Sequence, residues 1–164
     1  LANAQAIEQA GATWLTVHCR TKTDGYQPPA YWEWIPRIQE VVKLPLVTNG
    51  EIWNPEDFQR CHSLSQTTGY MIGRGALRDP FLFQKIKNQQ TKKTLSEQPI
   101  KPLLITFYQT SALHVNDKLA VARTKGWLKQ LSLVEPELKE LFEEIKTITT
   151  ALEFKETLFN KCRS

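Results

Sequence analysis

A chain of 164 residues, 41% apolar and 23% charged, suffices for one domain of ordinary size or two small ones, and such a composition argues against disorder. A formal charge of +4 is mildly basic, which permits a polyanionic partner without demanding one. Cys19, Cys61 and Cys162 are far apart and lack CxxC spacing, so neither a zinc site nor a disulfide framework is expected, and no apolar run approaches the ~20 residues of a membrane span. A reducing cytosol is the expected compartment. The chain opens on Leu1 with a helix already under way, which suggests the later part of a longer protein.

Ala2 to Gln9 are strong helix formers, and Gly11 is a natural terminator before Thr13-Trp14-Leu15-Thr16-Val17, a β-branched and aromatic run that predicts a buried strand. Thr21 to Pro29 form a polar loop holding Gly25, Tyr26 and two prolines. A helix over Trp32 to Val42 and a strand over Leu44 to Val47 follow. Asn54 can cap a helix opened by Pro55, with Glu56 and Asp57 in its first turn, ending near Ser63. Gly69 to Ile72 reads as a third strand, Arg74 to Leu77 as a short helical turn, and Asp79-Pro80 as the start of another helix. Strands and helices thus alternate every ~25 to 30 residues, the pattern of parallel α/β architecture. Trp32, Trp34 and Trp53 are assigned to packing between helix and sheet.

Composition changes near Asn88, where a Gln-, Thr- and Lys-rich stretch looks like a linker. Three parts are expected: residues 1–88 as the last three βα units of a parallel (β/α)8 barrel, residues 89–99 as a linker, and residues 100–164 as a small helical bundle. Leu138, Leu141, Phe142, Ile145, Ile148 and Leu152 recur at helical spacing and predict one buried stripe. Three strands cannot close an eight-stranded barrel, so the remainder lies upstream or comes from another chain. In the helical part Lys118, Lys125 and Lys129 share a stripe with Arg123 at its flank, while the next helix carries Glu137, Glu140, Glu143 and Glu144. Such a two-faced charge pattern suits a phosphate backbone, although a solvated face is the plainer reading.

The chemistry collects at three strand ends: Thr16-Val17-His18-Cys19-Arg20-Thr21, Val47-Thr48-Asn49-Gly50-Glu51-Ile52 and Met71-Ile72-Gly73-Arg74-Gly75-Ala76-Leu77. That edge is where parallel barrels place their sites. Asn49-Gly50-Glu51 and Gly73-Arg74-Gly75 each follow a strand and precede a helix start, so their backbone N–H groups can converge on a phosphate, with Arg74 supplying charge. Taken singly, each glycine can equally do no more than turn the chain. Cys19 lies between His18 and Arg20, but strand alternation sends it to the opposite face, which argues against a role as acid. His62 and His114 have no partner pattern and read as surface or cap residues.

His-x-Arg-Thr, then Asn-Gly-Glu-Ile-Trp, then Met-Ile-Gly-Arg-Gly-Ala-Leu, in that order, resembles the second half of the flavin-dependent tRNA-dihydrouridine synthases. Val121-Ala122-Arg123-Thr124-Lys125-Gly126-Trp127-Leu128 is similar to a helix of their bacterial C-type subgroup. The resemblance implies FMN in the barrel, NADPH as reductant, tRNA across barrel and helical domain, and reduction of uridine 16 in the D-loop to dihydrouridine. It implies FMN-binding roles for Asn49, Gly50 and Glu51 in one loop and Gly73 and Arg74 in another, with His18 at the flavin and uracil face. Arg20, Tyr26, Arg123 and Lys125 fall on positions associated with RNA, and Lys146 stands where relatives tend to carry arginine. The family's proton donor is a cysteine in an Asn-Cys-Gly-Cys-Pro type motif on an earlier strand, which this chain lacks, so no catalytic residue is assigned and the isolated chain is expected to be inactive. No metal is expected, and a monomer is. The competing readings are a non-catalytic RNA-binding module, favoured by the missing acid, and another FMN-dependent barrel oxidoreductase, disfavoured by the basic helical part.

Overall fold

The computed structural model describes residues 1–91 and 99–163. They form two compact units, residues 1–76 with 80–91, and residues 77–79 with 99–163. The first is mixed α/β, with elements in the order α1 (Ala2–Gln9), β1 (Leu15–His18), α2 (Trp34–Gln39), β2 (Leu46–Asn49), α3 (Pro55–Ser65), β3 (Gly69–Met71), α4 (Arg74–Arg78, whose last two residues count with the second unit) and α5 (Leu82–Thr91).

The three strands form a parallel sheet in the order β1-β2-β3. His18 lies beside Asn49, and Asn49 beside Met71, so all three strands end abreast and their following loops leave from one edge. Local chemistry explains the boundaries. Gly11, at φ +86, turns the chain out of α1 in a conformation that suits glycine. The Asn54 side chain accepts the Asp57 N–H at 2.7 Å to cap α3, Pro55 opens that helix, and Gln66 closes it in the left-handed region. Pro36 sits inside a shorter α2 than the sequence suggests, and Val42, expected at its end, is buried beyond it.

Ile35, Val42, Leu46, Ile52, Phe58, Cys61, Leu82 and Ile86 fill the core of this unit. A large aliphatic or aromatic side chain fully buried there is worth about 1.5–3 kcal/mol. The buried Thr48 and Thr67 hydroxyls satisfy each other at 2.8 Å. Trp32 packs as expected and donates its indole N–H to the Gly50 carbonyl at 3.0 Å. Trp34 does not: it is 46% exposed, with the Arg37 guanidinium 4.7 Å from its ring centre.

The second unit holds α6 (Ile100–His114), α7 (Asp117–Leu131), α8 (Pro136–Ile145) and α9 (Ala151–Arg163) around Leu104, Leu128, Leu131, Leu138, Ile145, Phe154 and Leu158. Asn116 caps α7 by accepting the Leu119 N–H at 2.9 Å, and Trp127 donates to the Leu77 carbonyl at 3.0 Å. The apolar stripe expected to run from Leu138 to Leu152 is broken. α8 stops at Ile145, Ile148 lies in a turn, and Leu152 is 69% exposed on α9. Thr150 and Glu153 start the new helix as a reciprocal capping pair, with the Glu153 N–H and the Thr150 hydroxyl 3.4 Å apart.

Residues Gln89–Thr91, expected to open the linker, continue α5; residues 92–98 of that segment lie outside the described residues. Among the described residues no helix is long and apolar enough to cross a membrane, and no three or more His, Cys, Asp or Glu side chains are grouped to hold a metal.

Candidate functional site

The loops leaving the sheet edge enclose a cleft of about 630 Å³ in the first unit. That volume lies within the ~300–1,000 Å³ typical of small-molecule sites. Its lining includes every first-unit residue singled out from sequence: His18, Arg20, Tyr26, Asn49, Gly50, Glu51, Gly73 and Arg74. Three basic side chains, Arg20, Lys22 and Arg74, and one acidic one, Glu51, line it, so its charge favours an anion.

Glu51 is the hub. Gly50 at φ +131 and Glu51 at φ +50 turn the chain sharply off β2, and a left-handed backbone on a residue other than glycine costs on the order of 1–3 kcal/mol. Three partners hold it there. Arg20 pairs with Glu51 Oε1, Arg74 Nη2 lies 3.2 Å from the same oxygen, and Trp53 donates its indole N–H to Oε2 at 2.9 Å. Burial works to raise the carboxyl pKa, but the Trp53 hydrogen bond and the two arginines outweigh it and hold Glu51 below the usual glutamate range. Arg20 is only 10% exposed, and its Nε is buried without a hydrogen-bond partner.

The glycines at the two strand ends differ in what their missing side chains make room for. A Cβ on Gly75 would stand 2.2 Å from the Ile52 carbonyl oxygen, so this glycine lets two loops pack. A Cβ on Gly50 would meet Ala30 Cβ at 3.0 Å. Gly73 has nothing within 4 Å where a Cβ would stand, so at this cleft-lining position the absent side chain leaves open space. The helix starts also differ. The first turn of α3 is closed by Asn54, four residues past Gly50, whereas α4 begins directly after Gly73. Only the second loop abuts a helix.

Asn49 turns its amide to the β3 backbone, donating to the Met71 carbonyl at 2.7 Å, and so braces the edge. His18 is exposed at the end of β1. Cys19 falls just past the end of β1, so strand alternation does not reach it; it lines the cleft beside His18 and Arg20 but is 5% exposed, and burial, with Cys61 nearby, pushes its thiol up to about 12. Tyr26 is 80% exposed, with the Arg74 guanidinium carbon 4.8 Å from its ring centre. Trp53, assigned to packing from sequence, also lines the cleft: besides holding Glu51, its ring lies 5.0 Å from the same guanidinium carbon. Its place two residues after Glu51 in the Asn-Gly-Glu-Ile-Trp run was the available signal. His62, read as a surface or cap residue, stacks on Phe58 and meets the Tyr70 hydroxyl at 2.6 Å.

In the second unit, Arg123 is exposed on α7. Lys125 is not a free cation on that face. Its ammonium donates to the Lys146 carbonyl at 3.0 Å and to the Ile148 carbonyl, closing the C-terminal end of α8. Lys146 pairs with Glu143 and Lys161 with Glu144, so part of the acidic face is neutralised.

A parallel sheet whose glycine-rich strand ends surround an arginine-lined cleft makes the first unit an α/β protein with its candidate site at the sheet edge. The family model described as Dihydrouridine synthase (Dus) matches residues 1–162, and the chain belongs to that family. Over 149 residues it is 41% identical to the "tRNA-dihydrouridine(16) synthase" of Pseudomonas syringae pv. tomato, covering 89% of this chain and 47% of that protein. It is 38% identical to the protein of the same name from Aquipseudomonas alcaligenes (87% and 46% covered) and 38% identical to that of Shewanella oneidensis (92% and 47%). The chain thus spans about half the length of the curated relatives it matches.

Proposed function

We propose that this chain is the C-terminal part of an FMN-dependent tRNA-dihydrouridine synthase acting on uridine 16, with NADPH as reductant and a cytoplasmic location. The observation that carries the reading is the Arg20–Glu51–Arg74 cluster on a glycine-lined cleft at the sheet edge, in a chain of this family. On this reading the first unit is the last three βα units of a (β/α)8 barrel, and the second is a tRNA-binding helical domain.

The residues present fit FMN at its phosphate end. Arg20 Nε is a buried donor lacking a partner, and the open space at Gly73 admits a ligand close to the backbone. Gly50, Gly73, Arg20 and Arg74 would hold the phosphate, with Asn49 and Glu51 bracing the loops and His18 toward the flavin ring. When bound, FMN would supply the hydride that reduces the uracil ring. Tyr26 would offer a face for the target base, and Arg123 would contact the RNA backbone. Lys125 would act on RNA only through the turn it closes. The proton that completes the reduction would not come from Cys19, whose thiol is buried and too weak an acid.

The test is direct. The full-length protein is purified, its flavin is identified after release, and dihydrouridine is mapped in tRNA incubated with NADPH. Reduction at position 16 that needs FMN supports the reading; protein without flavin, or modification elsewhere, rejects it.

A further inference from the structure

One guanidinium at the cleft mouth serves three partners. Arg74 is paired with Glu51 at 3.2 Å, and its Cζ lies 4.8 Å from the Tyr26 ring centre and 5.0 Å from that of Trp53. A phosphate-binding arginine would need only charge and reach. A planar group laid over two aromatic rings does something further, because a flat, weakly hydrated guanidinium stacks where an ammonium does not.

The loop that carries Tyr26 does not rely on Arg74 for its shape. Asp24 accepts the Thr21 N–H at 2.8 Å and the Thr21 hydroxyl at 2.7 Å, and its own carbonyl accepts the Gln27 N–H at 3.1 Å. The turn is therefore closed on itself. What it leaves unset is the Tyr26 ring, which at 80% exposed has little packing to choose its rotamer. The Arg74 guanidinium lies over that ring and is itself held by Glu51 and Trp53.

We propose that Arg74 is a positioning residue for Tyr26: anchored by Glu51 and Trp53, it covers one side of the tyrosine ring and presents the rest as a preset stacking surface for a pyrimidine of RNA. This rests on the function proposed above for the role of the base, and on the geometry alone for the clamp. It links the two ligands of the cleft, since the loop that would hold the cofactor phosphate also sets the ring that meets the RNA.

The test is a double-mutant cycle in the full-length protein at saturating FMN, using Arg74→Lys, which keeps charge without the plane, and Tyr26→Leu. Each single variant is expected to raise KM for tRNA by about tenfold, and the double variant to be no worse than either, since both remove one stacking unit. A cofactor-free readout accompanies it: the Arg74 δ-proton NMR signals, shifted upfield by the Tyr26 ring, move downfield in Tyr26→Leu. Additive KM effects, or δ-proton signals indifferent to Tyr26, overturn the proposal. Wild-type protein that forms no dihydrouridine rejects instead the functional reading and with it the RNA clause, while the NMR signals still decide the clamp.

Discussion

The indole N–H of Trp53 and the carboxylate of Glu51 are joined at 2.9 Å, so a residue two positions further along the same loop holds the group that binds both Arg20 and Arg74. Trp53→Phe keeps an aromatic ring for Arg74 and deletes only the donor. It is expected to cost about 1.5–3 kcal/mol, the range for a hydrogen bond to a charged group. Urea unfolding at neutral pH measures this, and an unchanged midpoint would show that the bond contributes nothing.

Glu51 also makes stability depend on pH. Its folded pKa lies below the unfolded value, so its contribution is fully present above the unfolded glutamate pKa and is lost as pH falls through the depressed folded one. Glu51→Gln removes that dependence and leaves the Arg20 charge unpaired at 10% exposure, at a cost of about 3 kcal/mol near neutrality. The gap between wild type and variant is expected to close progressively in acid. Parallel pH profiles would contradict the assignment.

Gly75 and Gly73, two residues apart, should respond oppositely to one methyl group. Gly75→Ala drives a Cβ to 2.2 Å from the Ile52 carbonyl oxygen, which no rotamer relieves, and is expected to cost about 3 kcal/mol or more. Gly73→Ala meets nothing within 4 Å and should leave the folded protein's Tm within about 2 °C, while weakening flavin binding if the space there belongs to the ligand. Thermal melts with flavin titration separate the two effects.

Cys19 should be chemically silent. With its thiol pushed up to about 12, the thiolate fraction near pH 8 is on the order of a thousandfold below that of an ordinary thiol, before burial is counted. Alkylation of the native protein by iodoacetamide, followed by mass spectrometry, is expected to leave Cys19 unmodified until the chain unfolds. Rapid native labelling would reopen a role for it as an acid.

Lys125 and Arg123, close on one helix, should separate stability from RNA binding. Lys125→Met strips the donor from the Lys146 and Ile148 carbonyls and should destabilise the second unit by about 1–3 kcal/mol. Arg123→Ala is exposed and should be neutral for stability, while weakening tRNA binding with a shallower salt dependence. The converse pattern would restore Lys125 as a direct RNA contact.

Much of this was legible in the residues because it depends on neighbours in sequence. Caps at Asn54 and Gly11 and β-branched runs placed the strands near Leu15, Leu46 and Gly69, whereas Cys19 falls just past the end of β1, beyond the reach of period-2 alternation. The glycine-rich strand ends marked the cleft by composition alone. Pattern failed where two distant segments compete for one group. The run from Leu138 to Leu152 has helical spacing throughout, yet Thr150 and Glu153 start a new helix and Lys125, about twenty residues upstream, closes the old one. Whether Gly75 serves a ligand or a neighbouring loop turned on where the Ile52 carbonyl came to rest. Trp53 and Arg74 became partners only once β2 and β3 lay side by side, with Glu51 bonded to both. Local backbone preference is written residue by residue, whereas which charge meets which ring is decided by register between strands, and a single sequence does not print register.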